Sequence, residues 1–270
     1  MIYTRLKGGL GNMLFQIAAT YSIALEKNTT PSFYNLDGQL TYLNNEKGFN
    51  PKLNHSFEYK NLNGFNNLTT STPPNGTPVY RYPFHYQNIQ TQGDNFIVDG
   101  FFQSEKYFIK HEKEIKELFK PTENILNLIS EKYSDYLKNK TTAVHVRRGD
   151  YVKHRNIHPP QDLQYYRNSI SLTEYDKILV FSDDLSWCKN NFIGDEFIFI
   201  EGEKDYVELY LMSMCDNVIT SNSSFSWWGA WLNNNPNKKV IGPKKWFGES
   251  VKNSPNHITK DILPDSWIKM

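Results

Sequence analysis

The chain of 270 residues has little of what secreted, membrane and zinc-binding proteins need. Its two cysteines are too few for a disulfide framework or a four-cysteine zinc site. No stretch approaches the roughly 18 consecutive apolar residues of a membrane-spanning helix, and the mean hydropathy is −0.62. The first residues also lack the apolar core of a signal peptide, so we expect a protein of the reducing cytoplasm.

An excess of charge is also lacking, because 30 Lys and Arg residues face 29 Asp and Glu residues. A protein that binds nucleic acid through a broad basic face usually has a larger positive excess, so we expect no nucleic-acid partner. Arginine itself is scarce, with six residues among those 30. Aromatic residues are plentiful at 15%, which suits stacking on sugars or bases, but they are equally ordinary core residues.

The second half of the chain alternates short apolar runs with amphipathic segments, which is typical of strands and helices in a parallel α/β sheet. The runs predict strands at 142–146, 177–181, 196–200, 217–220 and 239–241, and helices at 163–170, 205–214 and 224–232. In the first half, the pattern predicts strands at 2–6 and near 96, and helices at 13–26, 109–119 and 125–137. The Asn-rich stretch 28–95 gives no clear elements.

A glycine-rich turn, Gly8-Gly9-Leu10-Gly11, joins the first predicted strand to the first helix. This order is typical of nucleotide-binding folds, but the dinucleotide fingerprint needs a third glycine where this chain has Leu14. The turn therefore favours a dinucleotide site only weakly. A tight turn that merely lets the helix pack on the strand is the alternative.

Polar segments follow four of the predicted strands of the second half, at the point where each strand ends. They span 147–150, 182–184, 221–224 and 242–246. The carboxyl ends of parallel strands form one edge of a sheet, and ligands of open α/β sheets bind there. We therefore expect these segments to form one ligand site.

Two of those segments indicate a phosphate ligand. Arg147 and Arg148 are adjacent in a chain that otherwise relies on lysine, and a guanidinium can bind phosphate through two parallel hydrogen bonds. The serine cluster 221–226 opens a predicted helix, whose first N–H groups and hydroxyls favour an anion. The alternatives are a structural network between the arginines and Asp150, and helix capping by the serines alone. Together the two segments favour a diphosphate.

The adjacent carboxylates Asp183 and Asp184 raise the question of a metal site, but metal-dependent sugar-nucleotide enzymes usually separate two such residues by one position. Because two arginines at the same edge can neutralise phosphate, we expect these aspartates to accept hydrogen bonds from a base or ribose, and we expect no metal. His145 is either a core histidine or part of the site. His154 and His158 are interpreted as loop residues, since two prolines follow them.

Four motifs give the chain a specific resemblance to one family. The segment 145–151, HVRRGDY, resembles the first motif of the α-1,2-fucosyltransferases, glycosyltransferase family 11. The segment 8–16, GGLGNMLFQ, is similar to the N-terminal signature of that family, with Met13 where glutamine is more usual. The segments 181–184, FSDD, and 221–229, SNSSFSWWG, are similar to two further motifs in the same order. The resemblance spans the chain from its first residue to about residue 247.

The resemblance implies a two-lobed α/β fold of the GT-B-like class, with a parallel Rossmann-like sheet in the C-terminal half. Residues 1–140 would form an acceptor-side lobe, and residues 141–270 a lobe that binds the GDP-sugar. The implied reaction moves L-fucose from GDP-β-L-fucose to the 2-hydroxyl of a terminal β-galactoside, with inversion and without a metal. The expected partners are this donor and a galactose-terminated oligosaccharide. A peripheral contact with a lipid-linked glycan is left open, without a transmembrane segment.

By the same resemblance, Arg147 and Arg148 hold the diphosphate. Asn12 joins them in catalysis from the N-terminal lobe, and His145 with Asp183 recognises guanine. The other donor-binding residues that the resemblance implies are Gly9, Gly11, Asn222, Ser223, Ser224, Phe225 and Ser226.

The residue that accepts the proton of the acceptor hydroxyl is not fixed by the motifs. Some related enzymes have a glutamate soon after the arginine motif, but 151–155 contains no carboxylate. Asp150 or the departing phosphate is therefore the expected proton acceptor. Two rival functions remain at this point: transfer from a different nucleotide sugar, and a glycan-binding module without catalysis, which would have no use for an arginine pair beside a serine cluster.

Overall fold

The computed structural model describes residues 1–34, 71–254 and 257–270. These residues form two compact units: Met1–Thr122 with Lys260–Ile262, and Glu123–Thr259 with Leu263–Met270. The boundary between the units thus falls after residue 122, whereas the sequence placed it after residue 140. Most of the stretch 28–95, in which no elements were predicted, lies outside the described residues.

Within the described residues, the first unit is built on a parallel sheet of four strands. The strands are β1 (Ile2–Arg5), β2 (Pro31–Tyr34), β3 (Val79–Arg81) and β4 (Phe96–Asp99). Their order across the sheet is β2-β1-β4-β3. Helix α1 (Leu10–Glu26) follows β1, and α2 (Glu112–Leu118) follows two short 3₁₀ turns. The predictions near 2–6, 13–26, 96 and 109–119 are confirmed, while β2 and β3 were not predicted because their short runs lie within polar surroundings.

The second unit is built on a parallel sheet of six strands, again counting only described residues. The strands are β5 (Thr141–Val146), β6 (Lys177–Ser182), β7 (Phe197–Phe199), β8 (Asn217–Ile219), β9 (Val240–Gly242) and β10 (Ile268–Lys269). Their order is β10-β9-β8-β5-β6-β7. The predicted parallel sheet of the C-terminal half is therefore confirmed, with β10 as an additional strand beside β9.

The first helix of the second unit precedes all strands of its sheet in the sequence. The helices of this unit are α3 (Glu123–Leu137), α4 (Gly149–Lys153), α5 (Leu163–Ile170), α6 (Leu185–Asn191), α7 (Asp205–Ser213) and α8 (Ser224–Trp231). Helix α3 belongs to this unit because Tyr133 and Lys132 donate to the Glu203 carboxylate at 2.9 and 2.8 Å. This contact explains why the second unit begins after residue 122 and not after residue 140. In the described ranges, no helix is both long and apolar enough to cross a membrane.

The central strand and most of the helix at the serine cluster are buried in the second unit. Every residue of β5 is buried, as expected for a parallel strand with both faces covered. In α8, Trp227 and Trp228 are fully buried, and the Trp227 ring centre lies 5.4 Å from that of Trp267. These large rings fix the position of α8 and therefore of its first turn.

The strand order of the second sheet reverses direction at β5 and β8. After β5 the chain adds β6 and β7 on one side, and it then returns to add β8, β9 and β10 on the other side. At such a switch point, the connections that leave the two central strands run to opposite faces and open a crevice at the carboxyl edge. The ends of β5 and β8 are therefore where a ligand is expected.

Candidate active site

His145 and Ser221 meet across the switch point. The Nδ1 atom of His145 lies 2.9 Å from the Oγ atom of Ser221, and the imidazole ring centre lies 5.4 Å from that of Phe225. Burial, with the positive charge of Arg147 as a second cause, lowers the pKa of His145 to about 3. The ring is therefore neutral near pH 7, with one nitrogen able to donate and the other able to accept.

Arg147 is held between two carboxylates at the end of β5. Its Nη2 atom lies 2.7 Å from Asp150 Oδ1, and its Nη1 atom lies 3.0 Å from Asp183 Oδ2. Its guanidinium carbon lies 5.3 Å from the centre of the Tyr151 ring. The structural network with Asp150 that the sequence offered as an alternative is thus present, and it fixes the plane of the guanidinium.

Arg148 is anchored differently and leaves its hydrogen-bonding fork open. Its backbone N–H donates to Asp183 Oδ1 at 2.8 Å, and its Nε atom donates to Asp184 Oδ2 at 3.1 Å. The guanidinium carbon lies 4.3 Å from the centre of the Trp187 ring. Among the described residues, neither Nη atom of Arg148 has a hydrogen-bond partner. A planar cation that is fixed at Nε and stacked on an indole can offer both Nη groups to one anion.

Asp183 positions both arginines, and Gly149 makes room for it. A Cβ atom on residue 149 would lie 2.4 Å from Asp183 Oδ2 and 3.0 Å from its Cγ atom. Carbon and oxygen atoms do not approach this closely without repulsion, and the carboxylate cannot move away without releasing its arginine contacts. The glycine after the arginine pair is therefore required by the space that Asp183 occupies.

The two aspartates bind arginines in this structure. Asp184 also caps α6, since its Oδ1 atom accepts the N–H of Trp187 at 3.1 Å. In the part of the chain that the structure describes, no group of three or more His, Cys, Asp or Glu side chains could hold a metal ion. The proposed independence from metal stays a prediction for experiment.

Helix α8 begins at the same edge of the sheet. The Oγ atom of Ser223 accepts the N–H of Phe225 at 3.3 Å, and the Ser226 hydroxyl donates to the Ser223 carbonyl at 3.3 Å. Capping of the helix by Ser223 is therefore confirmed. The further role of Ser223, Ser224, Phe225 and Ser226 in holding phosphate stays a prediction.

Asn222 ties together the loops around the start of α8. Its Nδ2 group donates to the carbonyls of Pro159 and Trp246 at 3.1 and 2.9 Å. Its backbone carbonyl accepts a hydrogen bond from the Tyr151 hydroxyl at 3.2 Å. The side chain is 1% exposed, so the structure gives Asn222 a positioning contact. Its contact with the donor stays a prediction.

The predicted residues of the glycine turn lie in the first unit, between β1 and α1. Gly9 is the residue before α1, and Gly11 is buried in the first turn of that helix. Gly8 has a φ of +85°, and a Cβ atom there would lie 2.4 Å from Asn12 Nδ2. The Oδ1 atom of Asn12 accepts from Gln103 at 2.6 Å. The turn thus holds the Asn12 amide tightly, and the donor-binding role of Gly9, Gly11 and Asn12 stays a prediction.

Sequence reasoning missed Glu208, in the first turn of α7. Burial is the main cause that raises the pKa of Glu208 to about 8, and the negative charges of Asp205, Glu203 and Asp183 contribute to the same shift. Among the described residues its carboxyl group has no hydrogen-bond partner. The signal was present, because Glu208 is the single charged residue in the apolar run 207–212.

A family comparison identifies the family of this chain. The model described as Glycosyl transferase family 11 matches residues 81–268. The chain belongs to glycosyltransferase family 11. The resemblance of the chain to this family is therefore confirmed, and the matched range contains the arginine pair, the two aspartates and the start of α8.

Relatives of this family 11 chain include bacterial and animal proteins. An alpha-1,2-colitosyltransferase of Escherichia coli is 32% identical over 297 aligned residues, which cover 100% of this chain and 99% of that protein. A putative galactoside 2-alpha-L-fucosyltransferase of Caenorhabditis elegans is 25% identical, covering 96% of this chain and 75% of that protein.

A solved structure confirms the fold class. The crystal structure of the alpha-1,6-fucosyltransferase NodZ soaked with GDP-fucose matches with a TM-score of 0.51 and 14% identity. The match covers 86% of this chain and 91% of that one. The α/β, GT-B-like fold with a Rossmann-like parallel sheet is therefore confirmed for this chain.

Proposed function

We propose that this enzyme transfers L-fucose from GDP-β-L-fucose to the 2-hydroxyl of a terminal β-galactoside, with inversion at the anomeric carbon. Membership of family 11 and the animal relative named as a galactoside 2-alpha-L-fucosyltransferase support the proposal. The second unit binds the donor and the first unit binds the acceptor. The enzyme works in the cytoplasm, and a lipid-linked glycan that it meets at the membrane surface is one form of the acceptor.

The observation on which this proposal depends most is the open fork of Arg148. As the bond between fucose C1 and the diphosphate oxygen breaks, positive charge develops on the sugar and negative charge develops on the β-phosphate. Both Nη groups of Arg148 lack partners in the described residues, while its Nε atom and its ring stacking are fixed. A donor that is already oriented stabilises the new charge without reorganisation, so it lowers the activation barrier.

Two further residues complete the donor site in this proposal. The neutral ring of His145 and the protonated carboxyl group of Glu208 recognise guanine, because such a carboxyl group can accept from the N1–H and donate to O6. Both Asp183 oxygens already contact the arginines, so Asp183 acts in the donor site by holding Arg147 and Arg148. The N–H groups and hydroxyls at the start of α8 donate hydrogen bonds to the diphosphate.

The proton of the acceptor hydroxyl goes to Asp150 or to the departing phosphate. The Asp150 side chain is 54% exposed, and its Oδ1 atom is bound to Arg147 at 2.7 Å. Its second oxygen is therefore the group that can accept the proton. In either case the proton leaves as the hydroxyl oxygen attacks the anomeric carbon.

A product assay tests the reaction. GDP-fucose is offered with lactose, N-acetyllactosamine and the β1,3-linked isomer, and the product linkage is determined by NMR. We expect an α-1,2-fucosylated galactose with at least one acceptor. Products with another linkage, or no product from GDP-fucose, would contradict the proposal.

Colitose is a second candidate for the transferred sugar. The observation in its favour is the colitosyltransferase relative, which is 32% identical over the full chain. Colitose lacks one hydroxyl of fucose, so a pocket for one sugar resembles a pocket for the other. Competition between GDP-fucose and GDP-colitose in one reaction decides between them through the ratio of their kcat/KM values.

A further inference from the structure

Each strand of the first sheet ends on a side chain that can form hydrogen bonds. The last residues of β1, β2, β3 and β4 are Arg5, Tyr34, Arg81 and Asp99. All four strands are parallel, so these residues share one edge. The charges of Arg5 and Asp99 both act on the pKa of Tyr34, which burial raises, so the three groups lie near one another. Ligands of parallel sheets bind at this edge.

A charged and aromatic cluster lies at the centre of that edge. The Nζ atom of Lys7 lies 2.6 Å from Asp99 Oδ1 and 5.0 Å from the centre of the Phe101 ring. The Nε atom of Arg81 lies 3.6 Å from the other Asp99 oxygen. Lys7 and Asp99 are 36% and 35% exposed, and Phe101 is partly exposed. We call Lys7, Arg81, Asp99 and Phe101 the edge cluster.

A buried glutamine holds the backbone of Lys7, one residue of this cluster. Gln16 in α1 is fully buried, and its side-chain oxygen accepts the Lys7 N–H at 2.9 Å. Its amide nitrogen donates to the Lys7 carbonyl at 2.8 Å. A half-exposed ion pair such as that of Lys7 and Asp99 contributes little to folding stability. Folding stability therefore does not account for the ion pair of Lys7 and Asp99.

We propose that the edge cluster binds the neutral pyranose ring of the acceptor. The Phe101 face stacks on the C–H face of the sugar. The Asp99 carboxylate accepts hydrogen bonds from adjacent hydroxyls, while the Lys7 and Arg81 cations donate to them. The cluster carries two cations and one carboxylate, and both cations already contact that carboxylate, whose negative charge disfavours a free phosphate and favours a neutral polyol. This inference rests on the proposed function only in naming the sugar as the acceptor.

Two variants test the edge cluster in the full-length enzyme. Phe101→Leu removes the aromatic face, and Asp99→Asn keeps the shape of the side chain but removes its charge. We expect the acceptor KM to rise about tenfold in each, which corresponds to roughly 1.4 kcal/mol of binding free energy. The donor KM should stay within about twofold. Thermal melts report whether each variant folds, and Asp99→Asn serves as the test if Phe101→Leu does not.

The second unit offers a matched control. The centre of the Phe199 ring lies 6.0 Å from Lys189 Nζ, which pairs with Glu201 at 2.5 Å, so a phenylalanine, a lysine and a carboxylate meet there too. Phe199→Leu should leave the acceptor KM unchanged. An acceptor KM within twofold of wild type in folded Phe101→Leu and Asp99→Asn would overturn the proposal.

Direct binding separates this proposal from the proposed reaction. Saturation-transfer NMR measures contact of methyl β-galactoside, β-glucoside and α-mannoside with the full chain, with and without GDP. We expect signal for at least one pyranoside, and a clear loss in Asp99→Asn. If no donor gives a product but the sugar signal depends on Asp99, the proposed reaction is contradicted and the proposed sugar site is supported. No sugar signal in any condition, or a signal that Asp99→Asn leaves unchanged, overturns the site.

Discussion

Replacing Gly149 with alanine should damage catalysis while leaving the fold intact. The added Cβ atom would lie 2.4 Å from Asp183 Oδ2, so one of the two must shift by close to an ångström to reach ordinary contact. Asp183 accepts from the Arg148 backbone and contacts the Arg147 guanidinium, so the shift reaches the side chain of one arginine and the backbone of the other. A misplacement of about 1 Å can cost roughly a hundredfold in rate, and we expect a fall in kcat of that order.

Stability should not follow the fall in activity. Gly149 is the first residue of α4, and alanine is a better helix former than glycine by up to about 1 kcal/mol. The assay is kcat with saturating donor and acceptor, alongside a thermal melt. Val152→Ala in the same helix, at a position that is 44% exposed, is the control. A Gly149→Ala enzyme with kcat within threefold of wild type would refute the role assigned to Asp183.

Three further predictions concern the donor site. Arg148→Ala should lower kcat by about a hundred- to a thousandfold, the loss seen when one oriented hydrogen-bond donor is removed. Arg148→Lys should restore little of this activity because lysine lacks the two-pronged guanidinium. Both variants are measured by kcat and a thermal melt, and turnover within tenfold of wild type or an unfolded protein would contradict the assignment. Activity should survive EDTA, and loss that Mn²⁺ restores would show that Asp183 and Asp184 hold a metal. The folded chain keeps a proton on Glu208 between about pH 4.5 and 8 that the unfolded chain has released, so unfolding free energy should fall as pH rises through that window; Glu208→Gln should flatten this dependence in denaturant titrations, and an unchanged slope would refute it.

The sequence predicted where the site lies better than it predicted which residues contact one another there. Alternating runs placed Arg147, Asp183 and Ser223 at the ends of parallel strands, and the shared edge followed from topology alone. The role of Asp183 as partner of both arginines depends on its contacts with residues 147 and 148, which no local pattern reveals. Helix α4 is too short for a hydrophobic period to show. Glu208 was overlooked because burial, which the sequence does not show, is the largest cause of its raised pKa.

The unit boundary illustrates the same limit. The amphipathic pattern predicted α3 correctly, since Ile125 and Ile129 are its buried residues. It gave no information on which sheet these residues would cover. That choice depends on the contacts of Tyr133 and Lys132 with Glu203, about 70 residues further along the chain. Contacts at such separation are outside the reach of periodicity.

The parallel pairing of both sheets has a consequence for how the protein reaches its folded state. Parallel neighbours cannot form by a tight hairpin, because each pair needs a long crossover. Thr142 in β5 meets Asn217 in β8, 75 residues later in the chain. During synthesis, the apolar strand that leads to the arginines therefore leaves the ribosome well before one of its two neighbours exists. Such non-local pairing folds slowly and exposes unpaired strand edges, so slow synthesis at reduced temperature should raise the yield of folded enzyme.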